Sequence, residues 1–299
     1  MPCNLLKSVV YSEFRLVESS TPTVELRHRT PHIEGRIFFR MTGNPWEGHE
    51  KMANQFERGT VIQGRAKAAE QIDEGLRSYM LRVYNYMTTG LALTGIIAYL
   101  VANTPAILNL FYSVGPQGQV ASTPLAWIAM LSPLAFILVL SFGIQRMSAS
   151  TAQFLFWLFA GVMGLSLSHI FLQFTGASIA RVFFITAATF AAMSLFGYTT
   201  KRDLSGLGTF LFMGLIGIII ASVVNIFIGS TMMQFVISVL GVIVFVGLTA
   251  YDTQKIKEMY SELDGSEVAG KKAIMGALRL YLDFINLFIM LLHLFGQRD

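Results

Sequence analysis

The chain has 299 residues, 54% of them hydrophobic and only 13% charged, with mean hydropathy +0.56. A soluble domain carries about 25% charged residues, so this composition excludes an ordinary water-soluble enzyme and assigns most of the chain to lipid. The net charge of +4 and pI near 9.2 would suggest nucleic acid in a soluble protein. Here Lys and Arg cluster at the ends of apolar runs, which reads as membrane orientation and not as nucleic-acid binding. The single cysteine, Cys3, excludes an internal disulfide and a Cys-rich metal site.

Residues 1–51 have mixed charge, scattered His and Pro, and no sustained periodicity. They are too short to build a core. They read either as a disordered tail or, the favoured expectation, as an extension upstream of a natural start at Met52. A polar flank, 52–78, leads to the first long apolar run near Tyr79, and no cleavable signal peptide is visible.

Seven apolar runs follow: 79–102, 125–144, 152–172, 179–198, 207–228, 232–251 and 273–295. Each approaches the ~20 residues needed to cross a bilayer. Lipid admits only helices and closed barrels. Runs this continuous, without strict alternation, predict helices, so the fold class is an all-α, seven-helix membrane protein. The breaks carry turn chemistry at Asn103-Thr104-Pro105, Thr175-Gly176-Ala177-Ser178 and Gly229-Ser230-Thr231. Small residues recur at Gly161 and Gly164, Gly214 and Gly217, and Gly241 and Gly247, where packing is the plain reading. Trp127 and Trp157 suit interfacial anchoring.

Basic residues alternate with near absence along the breaks. Arg65, Lys67, Arg77 and Arg82 flank the first helix, and none lies in 103–124. Arg146 marks the next break, and Arg181 alone the one after. Lys201 and Arg202 come next, and none lies around Ser230. Lys255, Lys257, Lys271 and Lys272 mark the last break. The N-terminus is therefore expected in the cytoplasm and, with seven spans, the C-terminus outside. An integral membrane location is expected.

Two acids stand out. Asp252 closes the sixth run, Asp283 lies inside the seventh, and between Glu74 and Asp252 the only other acid is Asp203. An ionisable group at membrane depth is costly and marks a candidate site. The orientation puts both acids in the cytoplasmic half, with Asp283 roughly 9 Å deep at 1.5 Å per residue. Arg146 shares that layer. Three chemistries compete. The carboxylates could share a proton, titrate as a unit and sense pH. Ionised, they could ligate Ca²⁺, with Arg146 as a latch on one of them. They could instead form an intramembrane aspartic protease dyad, but no Gly-x-Gly-Asp signature precedes Asp283. Or both could be structural, with Asp252 facing water beside Lys255 and Arg279 pairing with Asp283 four residues on. Asn286 shares the face of Asp283 and could supply a neutral oxygen or a hydrogen bond. His169 and His293 belong near the outer ends of their helices and are not placed at the site.

The segment Thr249-Ala250-Tyr251-Asp252-Thr253-Gln254-Lys255-Ile256-Lys257, followed by Leu280-Tyr281-Leu282-Asp283-Phe284-Ile285-Asn286-Leu287-Phe288, resembles the Bax inhibitor family, the transmembrane BAX inhibitor motif proteins. Thr175-Gly176-Ala177-Ser178 and the stretch from Gly197 through Lys201-Arg202-Asp203 to Ser205 resemble its bacterial branch. The resemblance covers roughly residues 69–296. It implies six helices surrounding the C-terminal one, a bacterial cytoplasmic membrane as the location, and a pH-sensitive calcium leak controlled by an aspartate pair. Asp252 matches the first aspartate, Asp283 the second and Arg146 the latch arginine. Arg279 departs from the pattern by competing for Asp283, and the loop 258–271 is somewhat long. The expected ion is Ca²⁺, bound or transported, with no other cofactor, and the expected partners are the bilayer and a membrane protein, with no nucleic acid. The alternative function is an interaction protein that modulates a membrane protease or stress survival. An enzyme is not expected: no phosphate loop, nucleophile elbow or Cys/His cluster is present in the sequence.

Overall fold

The computed structural model describes residues 47–114 and 120–298. The expectation for residues 1–51 lies outside that range, except for 47–51. The helices, in chain order, are α1 (Glu47–Asn103), α2 (Pro105–Phe111), α3 (Pro124–Gly143), α4 (Ala149–Leu167), α5 (Ile170–Gln173), α6 (Gly176–Thr199), α7 (Ser205–Ile228), α8 (Thr231–Glu258) and α9 (Ser266–Phe295). Two short antiparallel strands, β1 (Tyr112–Val114) and β2 (Val120–Ser122), pair Tyr112 with Ser122 and Val114 with Val120. Seven helical segments among the described residues are long and apolar enough to cross a membrane.

Side-chain oxygens fix where the spans begin. Thr123, Ser148, Thr175 and Ser230 sit in extended conformation and accept from the backbone N–H of Ala126, Thr151, Ser178 and Met233. Each satisfies one of the donors a helix start leaves open. Gly229, at φ 68°, adopts the left-handed conformation that ends α7 and permits the tight turn into α8. Inside α3, Pro133 cannot donate to the carbonyl of Ala129. The hydroxyl of Ser132 donates to that carbonyl instead, at 3.0 Å, so the backbone stays satisfied at membrane depth.

The centre is α9. Of its span window 94% is buried, against 28–50% for the other six, and the buried residues run almost unbroken from Ala273 to Leu292. A helix apolar all round belongs in the core of a bundle. The six other spans surround it: α8, α1, α6 and α4 pack on it directly, α3 packs against α4, and α7 against α8. The outer faces expose large apolar residues such as Phe184, Phe210, Phe227 and Met232, as lipid contact requires.

Three features differ from the apolar runs. The helices overrun them: α8 continues seven residues past Tyr251, and α9 starts at Ser266. The polar flank 52–78 is helical and continuous with the first span. The third run is broken at Ser168–His169, where α4 ends and α5 begins. The connection 103–124 is not plain loop, because α2 and the hairpin fold over the ends of α1 and α3. They enclose a small core of Val101, Phe111, Tyr112, Ala126 and Ala129.

A buried acidic pair beside the central helix

Asp252 on α8 and Asp283 on α9 are each fully buried, and Arg279 on α9 is 2% exposed. They are the only charged side chains in the buried interior of the described residues. The helix geometry sets this up. Arg279, Asp283 and Asn286 follow at intervals of four and three, so they rise along one face of α9. α8 and α9 are the most extensively packed pair in the bundle. The Arg279 Nη1 lies 3.6 Å from Asp252 Oδ1, an ion pair longer than a hydrogen bond. The guanidinium reaches across from the central helix to α8, a partner beyond the Asp283 four residues on that the sequence had suggested. Asp252 does not face water beside Lys255; that lysine pairs with Glu258 at 2.8 Å. Arg146 is exposed on the turn between α3 and α4. Asn286 donates its Nδ2 to the Leu282 carbonyl at 2.7 Å, a bond within its own helix.

Hydroxyls that the sequence did not single out link the helices around α9. Tyr84 on α1 bonds Ser194 on α6 at 2.6 Å, and Ser194 bonds Thr253 on α8 at 2.9 Å. Thr253, next to Asp252, also donates to the Thr249 carbonyl at 2.8 Å. Across the bundle, the Tyr281 hydroxyl on α9 meets Thr94 on α1 at 2.7 Å, and Thr94 bonds the Ala160 carbonyl of α4 at 2.8 Å. A cavity of about 690 Å³ opens between α1 and α6 and reaches Tyr84 and Ser194. It is lined mainly by apolar side chains, including Phe183, Phe190 and Phe284.

The same end of the bundle is tied down by polar contacts. Gln254 accepts from the Leu204 N–H at 2.9 Å and donates to the Arg202 carbonyl at 2.8 Å, so one side chain holds the whole α6–α7 connection. Lys257 donates to the Tyr198 carbonyl, and Lys272 pairs with Asp264 at 2.6 Å. In that connection the Asp203 carboxyl is held below the usual carboxylate range by hydrogen bonds from the Ser205 side chain and backbone N–H. No group of three or more His, Cys, Asp or Glu gathers among the described residues. A cation at the acidic pair would thus draw on two carboxylates and neutral oxygens.

The family model described as inhibitor of apoptosis-promoting Bax1 matches residues 76–299, three quarters of the chain and all seven spans. The chain belongs to the Bax inhibitor family. It is 48% identical over 241 residues to the inner membrane protein YbhL of Escherichia coli, covering 80% of this chain and 96% of YbhL. An uncharacterised protein of Rickettsia prowazekii is 49% identical over 226 residues, 76% of this chain and 92% of the relative. One from Caulobacter vibrioides is 43% identical over 245 residues, 81% and 98%. This Bax inhibitor family member is a multi-pass membrane protein.

The signals that could have found the missed residues were weak. Thr249 and Thr253 are spaced four apart and flank Asp252, but hydroxyls in apolar helices most often bond their own i−4 carbonyl, as Thr249 does to Phe245 at 2.8 Å. Only the lateral arrangement of α1, α6 and α8 shows that Thr253 also meets Ser194.

Proposed function

We propose that this Bax inhibitor family protein is a pH-sensitive calcium leak, with Asp252 and Asp283 as the controlling pair and Arg279 as the cation that competes for them. The observation carrying this reading is the charge count: two carboxylates and one guanidinium share the buried interior beside the central helix. With one more acid than base, the ionised set carries a net negative charge that a metal cation would balance. Ca²⁺ is a hard ion that prefers carboxylate and carbonyl oxygen. When the pair is ionised it attracts Ca²⁺, and when it is protonated that attraction is lost. Arg279 occupies the position a cation would seek, so its salt link to Asp252 joins α8 to α9 and opposes the leak. Arg146, exposed on a turn, is a weaker latch candidate than Arg279. The cavity between α1 and α6 reaches Ser194, which bonds Thr253, the chain neighbour of Asp252.

The arginine and lysine distribution supports a cytoplasmic N-terminus and an external C-terminus, with the acidic pair toward the cytoplasm. The test is calcium efflux from liposomes holding the purified protein. Arg279→Met is expected to raise the leak, and Asp252→Asn to lower it and flatten its response to pH. A full absence of flux, with a membrane protein partner retained through purification, would select the interaction-protein reading instead.

A further inference from the structure

A second polar enclosure lies at the opposite end of the bundle. His293 is ten residues beyond Asp283 on α9, about 15 Å along the axis at 1.5 Å per residue. There a cavity of about 270 Å³ is lined by Ser166, His169, Gln173, Gln234, His293 and Arg298 among apolar neighbours. The C-terminal segment closes it. Arg298 forms a β-bridge with Phe174, the Thr175 N–H donates to the Gln297 carbonyl at 3.0 Å, and the Gln297 N–H donates to Ser178 Oγ at 2.9 Å. The Arg298 guanidinium lies over the Phe174 ring, 5.9 Å from its centre. These contacts strap the chain end across the α5–α6 turn.

We propose that this enclosure is a binding site for a phosphate group. Its electrostatics select an anion: Arg298 and two imidazoles line it, and no carboxylate lines it among the described residues. Its hydrogen bonds select the kind of anion. A carbonyl only accepts, so His169 Nδ1 carries the proton it donates to Ser166 O at 2.8 Å. In its neutral form His169 then keeps an accepting Nε2. His293 is the reverse: its Nδ1 accepts from the Gln234 amide at 3.3 Å, so its Nε2 carries the proton and donates. Gln234 is fixed in that sense because its Oε1 accepts from Asn225 Nδ2 at 3.4 Å. A monoprotonated or diprotonated phosphate offers both a P–OH to give and P–O⁻ oxygens to receive, and Arg298 supplies the countercharge. The volume lies just under the range of ordinary small-molecule pockets and holds a phosphate group with room to spare, as a hydrated ion or a headgroup requires. A transition metal would fit two imidazoles, but it would meet the Arg298 charge and find no carboxylate or thiolate ligand here.

The test uses the full chain, delipidated in a non-ionic detergent, with inorganic phosphate titrated against chloride at constant ionic strength. Thermal unfolding reports binding, because a ligand of the folded state raises Tm. Phosphate is expected to raise Tm in the wild-type protein. Arg298→Gln, which keeps the backbone bridge, and His293→Gln are each expected to weaken apparent affinity at least ~10-fold, the loss of one charge-assisted hydrogen bond. Gln173→Ala, at the exposed rim, is a further variant in case His293→Gln does not fold, and is expected to weaken affinity a few-fold. Nanodiscs of phosphatidylcholine with and without phosphatidic acid separate the sources. A Tm rise with phosphatidic acid alone, lost in Arg298→Gln, supports the same site and assigns the phosphate to a lipid headgroup. No response to either probe overturns the proposal. So does an equal phosphate response in Arg298→Gln and Gln173→Ala, or a Zn²⁺ response that replaces the phosphate one.

Discussion

Asp252, Asp283 and Arg279 are costly residues that hold one another in place. Breaking a buried ion pair by neutralising one partner leaves the other charge uncompensated and typically costs about 3–5 kcal/mol, whereas replacing both can be nearly neutral. Arg279→Gln leaves two buried carboxylates with no buried base, so it is expected to lower the unfolding temperature in detergent more than Asp252→Asn, which leaves one acid to one base; in the double variant the two losses are expected not to add. Additive losses in that cycle would mean the 3.6 Å contact carries no coupling. The acids themselves were legible in the sequence, because charge inside an apolar run stands out without any knowledge of the fold. The link from Arg279 across to Asp252 was not. Sequence separation shows which residues share a face of one helix, so Arg279 reads as a neighbour of Asp283. Which way that face turns toward α8 depends on packing between helices. The same limit hid the link from Tyr84 through Ser194 to Thr253, which joins three helices that are far apart in the chain.

At the scale of elements, starts were better marked than ends. Thr175 and Ser230 lie in breaks that read as turns, and each proves to be a cap. Hydropathy marks the part of a helix that lies in lipid, while the backbone ladder continues into water. That is why α8 and α9 extend beyond their apolar runs. The break at Ser168 and the fold of 103–124 left no periodic signal, since both are shorter than the windows that reveal periodicity. Close helix approach gives a prediction at this scale. A Cβ at Gly197 on α6 would press on the Ala250 carbonyl of α8, which is backbone and cannot swing aside. Gly197→Val should force the two helices apart and cost about 1–3 kcal/mol. Gly217 has open space around the same position and serves as the control; its valine variant should unfold at the wild-type temperature. Of the small-residue pairs, Gly164 meets α1, Gly241 meets Met290 of α9, and Gly247 meets Leu211 of α7, so packing accounts for most of them. A second element-scale prediction concerns α4, whose N-terminus is met by Glu267 of α9, its carboxylate accepting from the Ala149 N–H at 2.6 Å. Glu267→Ala should cost about 0.5–2 kcal/mol, read as a lower unfolding temperature.

At the scale of the molecule, a helix buried on all sides carries one end of the acidic pair, and the ring of spans carries the other. Any motion of α9 against α8 must act on the Arg279–Asp252 link. The basic-residue asymmetry predicts an inward N-terminus, and reporter fusions after Arg298 check it directly: a periplasmic reporter is expected to be active there and a cytoplasmic one silent. The seven-helix plan and its central helix were legible from hydropathy and the family motifs together, whereas the pocket at the far end from the acidic pair was not. His169 and His293 read singly as interfacial residues, and only the folded C-terminal strap brings them to one cavity with Arg298. The most direct test of the account is calcium efflux from proteoliposomes, measured from acid to neutral pH for the wild type, Asp252→Asn and Asp283→Asn. The account predicts a wild-type leak that falls on acidification and a lower, pH-flattened leak in both variants. Flux and pH profile unchanged in both would contradict it.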